Sequence, residues 1–359
     1  PIQTLDSSLA TDTYSNIIIG NTNAGLTRVD KDGKAQPELA KSVDVSKDGL
    51  TYTFHLRDGL KWSNGDALTA KDFVYSWQRA VDPAIASEYG YLLGPVKNAN
   101  EINGGKADKS TLGVKATDDK TFVVTLAQPT PYFEFLTANS VYFPLNQKVV
   151  EKYGKQYGTS SEKMVYSGPY KFEKSKGWNG SNQTFSIVKN DNYWDKNNVK
   201  ISDVKLTYFD GSDQEALVRN FKDGTYTQAR LYPNSSSYAS VQKQYKDNIV
   251  YSPQDATTFF YAFNYNRKAY NFTAKTTDAQ KTSTTAALLN KDFRQAINFA
   301  FNRTVYGAQQ NGQDGATSSL RNSLVPPTFV QIGEKNFGDI VEEDLASYGD
   351  EWKGVKLDD

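Results

Sequence analysis

The chain has 359 residues, with 41 basic and 41 acidic side chains, so its formal net charge is zero. This balance argues against a nucleic-acid partner, which favours a basic surface. Cysteine is absent, which excludes disulfides, thiol nucleophiles and cysteine-based metal sites. The length suits two or three domains, and no run of about 18 apolar residues exists that would span a membrane.

The first 44 residues predict a helix followed by a hairpin. Asp12 is placed to cap the helix, and Ala24-Gly25-Leu26 then enters a strand. Asp30-Lys31-Asp32-Gly33 is a hairpin turn. Pro37-Glu38-Leu39-Ala40 predicts a short helical turn, because proline is favoured early in a helix.

Residues 50–81 have the most distinct local pattern in the chain. From Leu50 to Leu56 apolar and polar residues alternate, which predicts a strand with one buried face. Thr69 precedes Asp72 by three residues, a spacing that resembles a capping box. A helix with an apolar face should follow, and that face consists of Phe73, Val74, Trp77 and Val81.

The middle of the chain predicts short strands alternating with short helices. Ser212 and Glu215 form an S-x-x-E capping box before one of these helices, which should end at Gly224. The other predicted elements are a hairpin over 114–126, a helix starting at Thr130-Pro131, a helix over 148–153, and strands near 170–172, 184–189 and 204–208. This alternation indicates an α/β fold.

Towards the end, residues 257–264 alternate in the manner of a strand. Residues 273–285 are rich in Thr, Lys and Ala and predict an exposed loop. Asn290 is placed to cap a helix. The sequence after Arg303 has a composition typical of a loop.

Three blocks of residues, in order along the chain, carry a family resemblance. The first is Thr53-Phe54-His55-Leu56-Arg57 with Lys61-Trp62-Ser63-Asn64-Gly65-Asp66 and the segment 69–77; the second is Gly168-Pro169-Tyr170 with Asn190-Asp191-Asn192-Tyr193-Trp194; the third is Phe263-Asn264 with Phe293-Arg294-Gln295-Ala296-Ile297 and Asn302-Arg303. Together they resemble the bacterial extracellular solute-binding proteins of the oligopeptide/dipeptide/nickel family. The Tyr89-Gly90-Tyr91 loop and the insertion between Asn264 and Phe293 are most similar to the streptococcal Ami/Ali oligopeptide-binding lipoproteins.

The resemblance implies a two-lobed fold of the type II periplasmic-binding-protein class with an extra domain. Lobe I would comprise residues 1–44 and 164–260, and the extra α/β domain would comprise 45–163. Residues 261–359 would form the hinge and the start of lobe II, which we expect to be truncated. Family members begin with a signal peptide and a lipidated cysteine, and neither is present in the sequence.

The resemblance also implies how a ligand is bound. Peptides of varied sequence share only their main chain, so a cleft strand pairs with that main chain while wet pockets accept the side chains. The peptide-binding residues implied are Ala24, Gly25 and Leu26 on lobe I, Tyr89 and Tyr91 over the cleft, and Phe259, Tyr261 and Asn264 near the crossing between lobes.

No residue pattern supports catalysis. His55 is the only histidine and lies on the polar face of its predicted strand, and no G-x-S-x-G motif occurs. The paired carboxylates Asp118-Asp119, Glu342-Glu343 and Asp358-Asp359 lie in polar surroundings, whereas a glycosidase acid needs an apolar pocket. We therefore expect no enzyme, no metal ion and no cofactor.

The implied function is that of an extracytoplasmic oligopeptide-binding subunit of an ABC transporter, which captures peptide by hinged closure of two lobes and delivers it to the membrane permease. It would be a monomer without a nucleic-acid partner, lipid-anchored to the outer face of the cell membrane of a Gram-positive bacterium. Two alternatives stay open. One is a binder of another ligand, such as a dipeptide, a peptide pheromone or a chelated metal. The other is a secreted carbohydrate-active enzyme, which the high aromatic content suggests.

Overall fold

A computed structural model of the protein describes residues 1–31, 33–250, 257–318, 320–321, 323–326 and 329–347. The chain packs into two units, Pro1–Phe209 and the residues from Asp210 onward. The helices of the first unit are α1 (Thr13–Thr22), α2 (Ala70–Val81), α3 (Ala99–Asn103), α4 (Phe133–Leu136) and α5 (Gln147–Tyr153). Its strands are β1 (Thr27–Val29), β2 (Ala35–Pro37), β3 (Ala40–Val45), β4 (Thr51–Leu56), β5 (Val114–Asp118), β6 (Thr121–Thr125), β7 (Tyr170–Phe172), β8 (Thr184–Lys189) and β9 (Asp203–Thr207).

The second unit is mainly helical where it is described. Its helices are α6 (Gln214–Lys222), α7 (Tyr238–Gln244), α8 (Asp278–Leu289), α9 (Lys291–Ala300), α10 (Arg303–Asn311) and α11 (Phe337–Ser347). Its strands are the short pair β10 (Gln331–Ile332) and β11 (Lys335–Asn336). The mixture of helices and sheets confirms the α/β fold class. The truncation of the second lobe stays a prediction.

The first unit contains two larger antiparallel sheets, with strand orders β3-β4-β6-β5 and β7-β8-β9, and a two-stranded antiparallel sheet of β1 and β2. β4 forms as its alternation predicts: Tyr52, Phe54 and Leu56 are buried, and the intervening residues are half-buried. α2 lies on the buried face of the sheet, where the Trp77 ring meets Phe122 edge-on at 4.9 Å between centroids. These contacts form the centre of the largest hydrophobic core.

The capping box of α2 is confirmed. The Thr69 amide donates to Asp72 Oδ2 at 2.7 Å, and the Thr69 side chain accepts from the amide of Asp72. Burial raises the pKa of the Asp72 carboxyl from its ordinary 3.8 to about 6, and the nearby Asp66 carboxylate adds to this rise. The hydrogen bond from Thr69 opposes the rise without cancelling it.

This raised pKa predicts a specific pH dependence for the Asp72→Asn variant. Between pH 4 and 6 the folded protein holds a proton on Asp72 that the unfolded chain releases. That contribution to the free energy of unfolding is fully present below about pH 4 and is lost as the pH rises through about 6. The stability of Asp72→Asn relative to the parent should therefore increase by about 1–2 kcal/mol from pH 4 to 7, allowing for partial solvent screening. Urea unfolding at each pH measures this difference, and a flat difference would contradict it.

The Asn190-Asp191-Asn192-Tyr193-Trp194 block serves a structural role around Glu38, which is buried. Tyr193 donates its hydroxyl proton to Glu38 Oε1, and Trp194 Nε1 donates to the same oxygen at 3.0 Å. The Arg57 guanidinium stacks on the Trp194 ring, 3.5 Å from its centroid, and its Nε donates to the Glu38 carbonyl at 2.6 Å. Arg28 Nε, 3.1 Å from Glu38 Oε2, balances the charge. The block therefore joins the loop after β8 to the chain between β2 and β3.

The predicted helical turn at residues 37–40 is wrong. The amides of Glu38 and Ala40 donate to the Leu26 carbonyl at 3.0 and 3.1 Å, and the Leu39 amide donates to the Gly25 carbonyl at 3.1 Å. These long-range bonds keep the segment extended between β2 and β3. The favourable position of Pro37 for a helix start is overridden by this pairing.

Three predictions in the second unit are also wrong. The helix after Ser212 begins one residue later than predicted, because the Asp213 side chain is the cap and accepts from the Ala216 amide. The predicted loop at 273–285 contains the start of α8, which Thr277 and Gln280 cap reciprocally. The loop predicted after Arg303 begins with α10, whose cap is Asn302. By contrast, the Asn290 cap of α9 is confirmed, with a 3.1 Å bond from the Phe293 amide.

The strand predicted over 257–264 does not form. No strand within the described ranges pairs with this segment; Phe259, Phe260 and Tyr261 are exposed, and Phe263 is half-buried. Alternation indicates a strand only if a neighbouring strand supplies hydrogen bonds. The boundary between the two units, at Phe209 and Asp210, falls inside the predicted segment 164–260. The four-segment domain division thus stays a prediction.

Candidate functional site

The segment Ala24-Gly25-Leu26 lies in the interior of the first unit. All three residues are buried, and the Ala24 amide donates to Ser167 Oγ at 3.1 Å. A Cβ placed on Gly25 would lie 2.7 Å from the Thr137 carbonyl oxygen and 2.8 Å from the Phe143 ring. The carbonyls of Gly25 and Leu26 already accept from residues 38–40. These contacts account for the residues as packing elements, and their contact with a peptide stays a prediction.

Tyr89 lies at an open depression at the start of α1. The depression has a volume of about 460 Å³ and is lined by Thr11, Thr13, Asn16, Ile17, Tyr89 and Asn139. The Tyr89 hydroxyl donates to the Thr11 carbonyl at 3.2 Å, and its ring meets Tyr91 edge-on at 6.4 Å. The Tyr89–Tyr91 loop is therefore held against the chain that leads into α1. The structure brings these two predicted residues together.

A buried ion pair and a half-buried hydrogen bond position this depression. Arg79 of α2 makes a two-pronged ion pair with Asp6, with distances of 2.9 and 2.6 Å, and Asp6 holds the turn over residues 6–10 through its carbonyl and carboxylate. On the other side, the Ser140 hydroxyl donates to Asn16 Oδ1 at 2.6 Å. The rim therefore has fixed geometry, set from α2 and from the segment after α4.

Several polar groups of the rim are available to a ligand. Among the described residues, no hydrogen bond involves the Thr11 amide, the Thr11 hydroxyl or the Thr13 hydroxyl. The exposed Asn139 accepts from the Val141 amide through Oδ1, and its NH₂ group makes no hydrogen bond within the described part of the chain. Such amide, hydroxyl and carboxamide groups match the donors and acceptors of a peptide main chain.

Phe259, Tyr261 and Asn264 belong to the second unit, and all three are exposed. The Tyr261 ring meets Phe301 edge-on at 5.1 Å. The Asn264 side chain accepts from the Asn266 amide at 3.0 Å, which defines a turn. Their contact with a peptide stays a prediction.

The candidate catalytic side chains that lie within the described residues take part in structural interactions. His55 Nε2 lies 2.8 Å from Asp44 Oδ2 on the sheet surface. The hydrogen bond from the Lys120 amide holds the pKa of Asp118 below its ordinary value, the opposite of what a general acid requires. Glu343 pairs with Lys335 at 2.9 Å. Asp358-Asp359 lies outside the described residues.

The sequence patterns did not point to Thr11, Thr13 and Ile17. Thr13 and Ile17 had a local signal, since the helix capped by Asp12 brings them to one face, four residues apart. The missing information was the position of Tyr89, which lies more than 70 residues away along the chain and completes the depression. That proximity follows from how α2 packs, and no local pattern encodes it.

Comparisons with known proteins agree with this structure. The model for bacterial extracellular solute-binding proteins, family 5 Middle, matches residues 34–343. The oligopeptide-binding protein AliB of Streptococcus pneumoniae is 46% identical over 350 residues, which cover 95% of this chain and 53% of AliB. The chain thus spans about half the length of the curated relatives it matches.

Two solved structures are similar. Listeria monocytogenes OppA bound to peptide is 38% identical with a TM-score of 0.64, covering 69% of this chain and 47% of that one. The pheromone receptor PrgZ is 32% identical with a TM-score of 0.78, covering 98% of this chain and 66% of that one. These findings confirm the resemblance that the three sequence blocks carry. The chain belongs to the family 5 bacterial extracellular solute-binding proteins.

Proposed function

We propose that the protein is an oligopeptide-binding subunit of an ABC importer and that the depression at the start of α1 is part of its peptide site. The observation that carries this proposal is the set of unpaired polar groups on a rim without charged side chains. A peptide main chain presents one donor and one acceptor per residue, and these complement the Thr11 amide and the Asn139 carboxamide. The matching proteins named for oligopeptide binding support the same ligand class.

The remaining features of the proposal follow from the family. The protein acts outside the cytoplasm without catalysis and without a cofactor, as a monomer with no nucleic-acid partner. It is lipid-anchored to the outer face of a Gram-positive cell membrane and passes its ligand to the permease subunits. Among the described residues, no helix has both the length and the apolar content to cross a membrane. Lobe I consists of residues 1–44 and 164–260, the extra domain consists of 45–163, and 261–359 form the hinge and the start of lobe II.

The similarity to the pheromone receptor PrgZ favours a second ligand within the same class, a peptide pheromone. A pheromone of this kind is also a peptide, so the same rim groups would bind its main chain. Titration with a single signalling peptide and with mixed nutrient peptides separates the two. A subunit for nutrient uptake binds many sequences with similar affinity, whereas a receptor prefers one.

Isothermal titration of the full-length protein with mixed peptides tests the site. Thr13 is exposed on the rim, so Thr13→Trp should fill the depression without disturbing the core. We expect it to weaken peptide binding by about tenfold or more, because contacts to the rim are blocked. The matched control is Thr117→Trp, which makes the same change at an exposed position of β5. Equal binding by the two variants would reject the site, and no peptide binding by the parent would reject the function.

A further inference from the structure

The exposed side of α1 beside the depression carries two large apolar side chains. Ile17 is 50% exposed and Tyr14 is 61% exposed, although both belong to a helix whose opposite side is fully buried. Isolated exposed apolar residues are common on protein surfaces. Ile17 differs because it lines the same depression as the half-buried Tyr89. The lining of the depression thus combines apolar and polar side chains.

The depression also has no charged lining. Its six residues are threonine, asparagine, isoleucine and tyrosine. Asp12 lies between two of them, but its Oδ1 accepts from the Ser15 amide at 2.8 Å, and its Oδ2 is buried. Asp6 and Arg79 neutralise each other beneath the rim. A charged group that entered the depression would meet no opposite charge among the six lining residues to offset its lost hydration.

From these observations we infer that the depression is a specificity subsite that accepts an uncharged aliphatic or aromatic side chain of the bound peptide and discriminates against Asp, Glu, Lys and Arg. Ile17 and the Tyr89 ring supply its apolar contacts, while the Thr11 amide and Asn139 take the neighbouring main chain. This inference rests on the proposed function. A volume of about 460 Å³ has room for one large side chain with the adjoining main chain.

One surface would thus combine two kinds of recognition. Contacts between the peptide main chain and Thr11 and Asn139 are the same for every peptide. They therefore contribute affinity but do not distinguish one peptide sequence from another. The side chain that points towards Ile17 is the one that the protein can select. Because the penalty against charge arises from desolvation, it should act on acidic and basic side chains alike.

The test uses the full-length protein and alanine-based pentapeptides in which one position at a time carries Leu, Phe, Asp or Lys. Competition binding should find one position where Leu and Phe bind at least about tenfold more tightly than Asp and Lys. Ile17→Lys should lower affinity for Leu at that position and raise affinity for Asp. Ile17→Glu should likewise lower affinity for Leu, but raise affinity for Lys.

Two controls keep the test decisive. Thr117→Lys adds the same charge at an exposed position outside the depression, and it should leave the ranking of peptides unchanged. Glu88→Gln removes the exposed carboxylate that precedes Tyr89, and it should also leave the ranking unchanged. Thermal melting verifies that each variant is folded.

Each outcome has a distinct meaning. A parent protein that binds peptides without discriminating between charged and apolar side chains at any position overturns the inference and leaves the proposed function standing. Equal rankings for Ile17→Lys and Thr117→Lys overturn it as well. If the parent binds neither the pentapeptides nor any peptide of greater length, the proposed function fails, and the inference fails with it.

Discussion

Replacing Trp77 by alanine should destabilise the protein by about 3–5 kcal/mol, the range for removing a large aromatic side chain from a core. Trp77 is fully buried, and its ring meets Phe122 and Tyr142 edge-on at 4.9 and 5.0 Å. Its Nε1 donates to the Tyr142 carbonyl at 2.7 Å. The substitution therefore creates a cavity and leaves a buried carbonyl without its donor.

Urea unfolding followed by circular dichroism measures this effect without relying on tryptophan fluorescence. Trp77→Phe retains most of the apolar volume and loses the hydrogen bond, so we expect a smaller loss of about 1–3 kcal/mol. Tyr91→Ala is the surface control, since Tyr91 is 64% exposed, and it should change stability by less than about 0.5 kcal/mol. A Trp77→Ala protein as stable as the control would mean that the core is assigned wrongly.

Breaking the pair between Asp6 and Arg79 should cost about 3–5 kcal/mol, because the remaining partner is left as a buried charge. The Asp6 side chain is 1% exposed and the Arg79 side chain 11% exposed, with 2.6 Å between Oδ2 and Nη2. The pairing with Asp6 keeps the pKa of Arg79 above its ordinary value, although burial opposes this. Asp6→Asn and Arg79→Met each remove one charge.

A double-mutant cycle tests whether these charges act as a pair. Asp6→Asn combined with Arg79→Met should be less destabilised than the sum of the single variants, because neither charge then stays unpaired. Lys71→Ala, at an ion pair whose side chains are 75% and 67% exposed, should cost at most about 1 kcal/mol. Additive single effects would contradict the assignment of a buried pair. Asp6→Asn should also weaken peptide binding, because Asp6 positions the turn that leads to Thr11.

Local patterns predicted the elements whose information is local. The alternation in β4, the box joining Thr69 to Asp72 and the Asn290 cap each depend on residues a few positions apart, and each was predicted correctly. The cap of α6 was predicted one residue early, because Asp213 competes with Ser212 for the same role. The capping box formed by Thr277 and Gln280 is visible in the sequence, but the composition around it is typical of a loop and led to a loop prediction.

Hydrogen bonds between residues far apart in the chain determine the features that local patterns did not predict. Residues 37–40 stay extended because the amides of Glu38, Leu39 and Ala40 bond to Gly25 and Leu26. The candidate site had the same limitation. The family resemblance implies that Ala24, Gly25 and Leu26 bind peptide, but the fold buries them, whereas the open surface lies at Thr11 and Thr13. The hydrogen bond from the Tyr89 hydroxyl to the Thr11 carbonyl joins this surface to a loop more than 70 residues away along the chain.

The central claim, that the protein binds the main chain of peptides in the depression at the start of α1, has one direct test. The full-length protein is purified under native conditions and denatured, and the released small molecules are identified by mass spectrometry. We predict a mixture of short peptides at close to one per protein molecule, enriched in uncharged side chains at one position and depleted in the Thr13→Trp variant. Release of no peptide, or of a sugar or metal chelate in the same amount, would contradict the claim.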